Sequence, residues 1–235
     1  MEKKIWQIKP LHDLLHLLYP NTCAACGRTL TQQEQVLCLL CEYELPQTNY
    51  HQDRDNPVMK KFWGKLPLQH AASLYSFSKH SEVQQLIHHL KYSNWGEIGV
   101  FLGKLYARKL KDTDFAKADL IMPVPLHPNK LAKRGYNQSE MFGQGLSEVL
   151  KIPLDTHTLT REVNNESQTK KSRIARWLNT KTSFVLNNPD NIAHKHIILV
   201  DDVITTGATI QGCTQKIMAI PGIRISVLSI ADVEH

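Results

Sequence analysis

Residues 197–209 read IILVDDVITTGAT, and this stretch decides how the chain is expected to fold. Four apolar residues, Ile197 to Val200, run straight into two adjacent carboxylates, Asp201 and Asp202. A hydroxyl-rich turn follows, Thr205-Thr206-Gly207-Ala208-Thr209, and then a segment that reads as a helix from about 208 to 219. A short apolar run bounded by polar residues is the pattern of a parallel strand buried on both faces. The turn brings backbone N–H groups and threonine hydroxyls to a helix N-terminus, where unpaired donors and the macrodipole favour an anion. Gly207 lets the backbone approach a phosphate with no Cβ in the way. Two carboxylates cannot serve that phosphate. They are suited to accept hydrogen bonds from neighbouring sugar hydroxyls, or to help order a hydrated Mg²⁺. The expected ligand is a ribose with a 5′-phosphate.

The stretch resembles the phosphoribosyl-pyrophosphate (PRPP) signature of the type I phosphoribosyltransferases at each of its thirteen positions. A strand, turn and capped helix of an ordinary α/β domain would need far less than this order of residues. The resemblance implies a type I phosphoribosyltransferase-like fold, and binding in that fold does not by itself entail catalysis.

At 235 residues the chain can hold one α/β domain and a smaller appended module. With 42% hydrophobic and 21% charged residues it reads as soluble and globular, which excludes a disordered chain. The net charge of +6 is compatible with contact to polyanions and equally with a solvated basic surface. No stretch approaches the ~20 apolar residues of a membrane span. Leu11 to Leu18 is interrupted by His and Asp and reads as a short amphipathic helix, not a signal peptide, so a cytoplasmic location is expected.

Four of the five cysteines form two pairs, Cys23/Cys26 and Cys38/Cys41, with eleven residues between the pairs. Two C-x₂-C knuckles brought together offer four thiolates in the tetrahedral set of a structural Zn²⁺. Disulfides and redox dithiol chemistry are the alternatives, and a cytoplasmic compartment disfavours the first. Four cysteine ligands leave no open position, so the expected metal role is structural. Cys213, in the helix after the phosphate turn, is expected to be a small buried apolar residue.

Residues 42–70 read as a polar connector over the surface. Residues 71–78 alternate like a strand, and Ser81 is a plausible N-cap for a helix carrying Val83, Leu86, Ile87 and Leu90. His88 and His89 are adjacent on that helix and point apart, so solvated or locally bonded histidines are expected. A helix over about 98–111 and an apolar strand over 118–122 come next, and Pro123-Val124-Pro125 stops the strand. Lys130, Lys133 and Arg134 precede Gly135, either as an exposed basic loop or as cations facing a pyrophosphate. Residues 137–150 read as helix and 154–159 as strand. Residues 161–171 read as a mobile polar loop, before a basic helical turn at 173–179. Short strands are expected at 184–186 and 196–200, and a last one at 224–230. Strands alternating with helices predict a mainly parallel sheet with helices on both faces, plus a small N-terminal zinc-finger module. The expected division is 1–70 for helix, zinc finger and connector, and 71–235 for the α/β domain.

Taken together, the paired cysteines, Leu86-Ile-His-His-Leu-Lys-Tyr92, Pro123-Val-Pro-Leu126, Arg134-Gly-Tyr-Asn-Gln138, Gln168, Arg176 and Asn179 resemble the ComF family of competence-associated phosphoribosyltransferase-like proteins. The resemblance covers nearly the full length. It implies that Asp201 and Asp202 meet the ribose 2′- and 3′-hydroxyls and that Thr205, Thr206, Gly207, Ala208 and Thr209 hold the 5′-phosphate. It further implies that Pro125, Leu126 and Arg134 lie toward the pyrophosphate, with Mg²⁺ bridging sugar and pyrophosphate. Arg161, Gln168 and Arg176, on a cover over the reacting centre, are the expected catalytic residues. The reaction implied is displacement of pyrophosphate from C1 of PRPP through an oxocarbenium-like transition state, needing no protein nucleophile. Glutamine-dependent transfer is not expected, because the chain starts Met1-Glu2-Lys3 and has no room for a glutaminase domain. The family also implies single-stranded DNA and the proteins of natural transformation as partners. A phosphoribosyltransferase and a non-catalytic PRPP-binding protein that contacts single strands, through basic residues and aromatics such as Tyr136 and Trp177, both fit.

Overall fold

The computed structural model describes residues 20–162 and 184–233. In chain order its helices and strands are α1 (Leu39–Glu44), α2 (Pro57–Lys60), β1 (His70–Phe77), α3 (Glu82–Tyr92), α4 (Glu97–Leu110), β2 (Leu120–Pro123), α5 (Pro128–Arg134), α6 (Gln138–Leu150), β3 (Leu159–Arg161), β4 (Phe184–Leu186), β5 (His196–Ile204), α7 (Ala208–Ile217) and β6 (Arg224–Val233). The main sheet has the order β1-β6-β5-β2 with every pairing parallel. The apolar run of the signature is therefore a central strand. Its side chains alternate between two cores, as period-two geometry requires. Ile198 and Val200 face the core built by α3, α4 and α6, while Ile197 and Leu199 face the core that contains Val58, Phe62, Ile210 and Ile217. A strand covered on both sides cannot show an apolar–polar alternation, which is why its sequence reads as an unbroken run. Among the described residues, no helix is long and apolar enough to cross a membrane.

Local chemistry fixes several boundaries where they are expected. The Ser81 hydroxyl accepts the Gln84 N–H at the start of α3, and Asn137 accepts the Ser139 N–H at the start of α6. Helices α4 and α6 pack very closely through Gly103 and Gly145. A Cβ on Gly145 would stand 2.1 Å from the Val100 carbonyl oxygen, and one on Gly103 would stand 2.3 Å from that of Phe142.

Four expectations change. Residues 42–70 are not a surface connector throughout. Asn56 caps α2 and donates its amide to the carbonyls of Tyr50, Asp53 and Ala71, and Val58, Phe62, Leu66 and Leu68 are buried under the sheet. Apolar residues four apart, diluted by lysines, were enough to make a core face. The basic segment after Pro125 is not a loop but α5, with Pro128 in its first turn and Gly135 closing it at φ +80°. Residues 154–159 do not form a strand. Leu154 makes one parallel bridge to Ile121, after which the Asp155 carboxylate accepts the N–H groups of His157 and Thr158 and turns the chain. The signature strand runs on past Val200 to Ile204, carrying both carboxylates within it. Strands β3 and β4 pair with each other, antiparallel, in a separate two-stranded sheet.

The cysteine segment docks on β1. Pro46 and Thr48 bond to its free edge, the Ser76 N–H donating to the Pro46 carbonyl at 2.9 Å and the Thr48 N–H to that of Leu74 at 3.0 Å. An otherwise open strand edge is thereby covered. The cysteines share one continuous core with Leu74 and Tyr75.

Candidate functional site

In the parallel sheet, β2 and β5 are neighbours whose following segments leave in opposite directions. From β2 the chain rises through Pro123-Val124-Pro125 to α5 and α6 on one face. From β5 it passes through the Thr205–Gly207 turn to α7 on the other. The crevice between two such strand ends is where open α/β sheets bind ligands. Register deepens it: Pro123 is the last residue of β2 and pairs with Val200, so Asp201 and Asp202 project beyond the end of their neighbour. The Val124 N–H still donates to the Val200 carbonyl at 2.9 Å, and Asn137 donates to the Val124 carbonyl at 3.0 Å, which pins the turn carrying Pro125 and Leu126 beside the carboxylates.

The two aspartates are held differently. Asp201 accepts from the Ser139 hydroxyl at 3.1 Å and from the Asp202 N–H at 2.8 Å. Asp202 accepts the Val203 N–H at 2.6 Å and forms an ion pair with Lys91, from the last turn of α3, at 3.1 Å. Burial first, and then the charge of Asp202, push the Asp201 carboxyl up to about 7. A carboxyl poised in this way gains from a ligand that donates hydrogen bonds or brings positive charge.

Beyond them, Thr205, Thr206, Ala208 and Thr209 are exposed around the start of α7, and Thr206 accepts the Ala208 N–H at 3.4 Å. Gly207 caps the helix at φ +76°, and a Cβ there would lie 2.5 Å from Phe62 Cε1. Both conformation and space demand glycine at this position. On the other flank of the carboxylates, a cavity of about 560 Å³ is lined by Lys91, Tyr92, Asn94, Lys130, Lys133 and Arg134, among others. Arg134 donates to Gln138 at 2.7 Å and lies over the Tyr92 ring, 5.4 Å from its centroid.

The structure thus brings Asp201, Asp202, Pro125 and Leu126 together and sets Arg134 in the adjoining cavity. Arg161 lies on β3, with its guanidinium over the Phe184 ring at 5.3 Å. Gln168, Arg176, Asn179 and Trp177, like the 11–18 helix, lie outside the described residues. Tyr136 is half-buried and its hydroxyl donates to the Leu90 carbonyl at 2.5 Å. The exposed aromatic here is Tyr92. Sequence reasoning gave no role to Lys91, Ser139 or Asn137. The signal for Asn137 was its position as a helix cap, whereas Lys91 and Ser139 reach the site only through tertiary packing. His89 is bonded locally, to Ser93 at 3.0 Å, and Cys213 is fully buried, both as expected.

At the far edge of the sheet, the sulfurs of Cys23, Cys26, Cys38 and Cys41 all lie within 4.8 Å of one another. Those of Cys26 and Cys38 are 3.8 Å apart, close to the edge of a tetrahedron with metal–sulfur bonds of ~2.3 Å. The first knuckle closes with the Gly27 N–H on the Cys23 carbonyl, and the Cys38 N–H donates to Cys23 Sγ at 3.3 Å. All four cysteines are free thiols, and the set can hold a metal ion.

No protein-family model matches the chain. It is similar to the DNA utilization protein YhgH of Escherichia coli (strain K12), with 30% identity over 200 residues and 83% of each chain covered. It is also similar to the competence protein ComFC of Bacillus subtilis (strain 168), with 28% identity over 201 residues, 84% of this chain and 78% of that one. Among solved structures, an adenine phosphoribosyltransferase aligns over 64% of this chain and 75% of its own at 13% identity, with a TM-score of 0.38, a likeness too slight to bear on function. Near-full-length relatedness to these proteins, joined to a four-cysteine cluster on a parallel α/β sheet, has one consequence: the chain belongs to the ComF family.

Proposed function

We propose that the protein binds PRPP with Mg²⁺ in the crevice between β2 and β5 and transfers its phosphoribosyl group with release of pyrophosphate. The observation that carries this reading is the projection of Asp201 and Asp202 past Pro123, beside an exposed phosphate turn on one flank and a cationic cavity on the other. The carboxylates accept from the ribose 2′- and 3′-hydroxyls. The 5′-phosphate sits against Thr205–Thr209, where the α7 dipole and free backbone donors favour it. Pro125 and Leu126 line the pyrophosphate side, with Arg134 contributing positive charge. Mg²⁺, which oxygen donors of this kind suit, supplies neutralisation of the leaving pyrophosphate when bound. Arg161, Gln168 and Arg176 belong to the segment that covers the reacting centre and excludes water. The cysteine set suits Zn²⁺ in a structural role, one ion per chain, expected by elemental analysis and lost when Cys38→Ser and Cys41→Ser are combined. The division into residues 1–70 and 71–235 is part of the same proposal.

Pyrophosphate release from PRPP, measured across a panel of bases and amines, tests the reading. Release that disappears in the Asp201→Asn, Asp202→Asn double variant supports transfer. One observation favours a second reading, in which PRPP is bound without turnover and single-stranded DNA is a partner: Tyr92 is 63% exposed and stands among Lys91, Lys130, Lys133 and Arg134. An exposed ring amid cations suits base stacking and phosphate contact. PRPP binding without turnover, together with a single-strand affinity that falls steeply with salt, would decide for it. Relatives named for DNA utilization and competence agree with a role in DNA uptake inside the cell.

A further inference from the structure

Lys91 belongs to two places at once. Its ammonium is paired with Asp202 Oδ2 at 3.1 Å, and the same residue lines the cavity that holds Lys130, Lys133 and Arg134. Neither end of the pair is fully exposed: the side chains are 23% and 15% accessible, so solvent screens their attraction only in part. Asp202 Oδ1 accepts the Val203 N–H and Oδ2 faces the Lys91 ammonium, which therefore stands where a new donor to Oδ2 would approach. On the reading that this crevice takes a phosphorylated ribose, a sugar hydroxyl that approaches Asp202 from the Oδ2 side meets the Lys91 ammonium already there, and the two compete for that approach. Lys91 sits at the end of α3, where a long flexible side chain can pivot away from the carboxylate into the cavity.

The geometry points to Lys91 as a positioning residue that couples the two halves of the site. Without ligand it neutralises Asp202. When a ribose hydroxyl takes the Asp202 oxygen, the ammonium turns to an anionic group in the cavity. Engagement of the sugar thus creates a cation for the phosphates, and occupancy of the cavity by an anion frees the carboxylate for the sugar. By linkage the effect is reciprocal and gives positive cooperativity between the two groups of one substrate.

Calorimetry with two probes, ribose 5-phosphate and inorganic pyrophosphate, tests this on the full chain. In Lys91→Met, pyrophosphate affinity is expected to fall about tenfold, the worth of one charge-assisted hydrogen bond, while ribose 5-phosphate affinity rises because its competitor is gone. Opposite signs are the distinguishing result, since a merely structural role for Lys91 would weaken both probes together and overturn the inference. Asp202→Asn is expected to tighten pyrophosphate several-fold in the parent chain and far less in the Lys91→Met background. Equal tightening in the two backgrounds would reduce the effect to general repulsion and overturn the coupling. Lys91→Arg keeps the charge and should keep the cooperativity between the probes. If ribose 5-phosphate binds the parent chain no better than it binds the Asp201→Asn, Asp202→Asn variant, the ligand reading of the crevice falls. The pyrophosphate cycle still decides the role of Lys91.

Discussion

The two ends of the parallel sheet treat polar groups in opposite ways. At the strand starts, the histidines that open β1 and β5 are bound to protein partners. His196 bonds Ser226 at 2.8 Å and donates its backbone N–H to Asp119 at 2.8 Å. His70 meets Asp114 at 3.4 Å, and Asp114 is also bound by Arg54 and Lys117. At the strand ends, two carboxylates stand side by side with one hydroxyl and one ammonium between them, beside an exposed turn and an open cationic cavity. A set of groups satisfied within the protein stabilises the fold, whereas a crowded pair of carboxylates facing a crevice keeps acceptor capacity for a further donor. The contrast separates structure from function within a single sheet.

The largest expected effect that can break the contrast is on ligand binding. Replacing both carboxylates, Asp201→Asn with Asp202→Asn, should weaken PRPP by on the order of a hundredfold or more, from two charge-assisted hydrogen bonds of about 1.5–3 kcal/mol each. His196→Ala, at the other end, should lower the denaturation midpoint and leave PRPP affinity within about twofold, since a satisfied buried polar group acts on stability. Equal losses of affinity from both ends would erase the distinction. Next comes Gly207→Val, expected to cost about 2–3 kcal/mol in urea unfolding, through positive φ and overpacking against Phe62. Unchanged stability would mean that the turn relaxes freely.

Protonation sharpens the comparison because the two ends carry opposite signs. Asp201 is pushed up to about 7, so its ionisation opposes folding: stability is full below the ordinary carboxylate range and declines as pH rises through about 7. His70 and His196 are pushed below the usual histidine value chiefly by burial, so their contribution is full above about 6.5 and is lost as pH falls toward their folded values. Ligand hydroxyls favour ionised Asp201, so PRPP affinity should rise about tenfold from pH 6 to pH 8, one pKa unit corresponding to a tenfold change. The rise should vanish in Asp201→Asn, and a flat profile in the parent chain would contradict the assignment. The smallest effect is that of Ser139→Ala, which removes one hydroxyl donor to Asp201. It should weaken PRPP by a few-fold, about 1 kcal/mol, and shift the pH midpoint upward. A change in affinity with no shift in midpoint would place the role of Ser139 elsewhere.

Much of the local fold was legible in residues 197–209, because a doubly buried strand, a glycine turn and a helix start each leave a local trace. The cysteine pairs were legible for the same reason, since knuckle spacing is a property of neighbours in sequence. The cap at Ser81 could be read from side-chain chemistry. The burial of Val58 and Phe62 could not, because their spacing is ordinary and only the sheet face opposite gives it meaning. Nor could the bonds from Lys91 to Asp202 and from Ser139 to Asp201, which span about a hundred and about sixty residues of chain in a fold whose strand order is not sequential.

The sequence by itself therefore determined the chemistry available: a strand that must be buried, two carboxylates at its end, a glycine turn able to meet a phosphate, and four thiols in two knuckles. Tertiary structure decided how that chemistry is deployed. Parallel pairing with β2 ends at Pro123 and leaves the carboxylates projecting, and the divergence of the two following loops opens a crevice above them. Packing of α3 and α6 on one face then supplies the lysine and the serine that hold the pair. Local propensity and spacing act between near neighbours, whereas charge pairing and exposure depend on which strands and helices become neighbours in space.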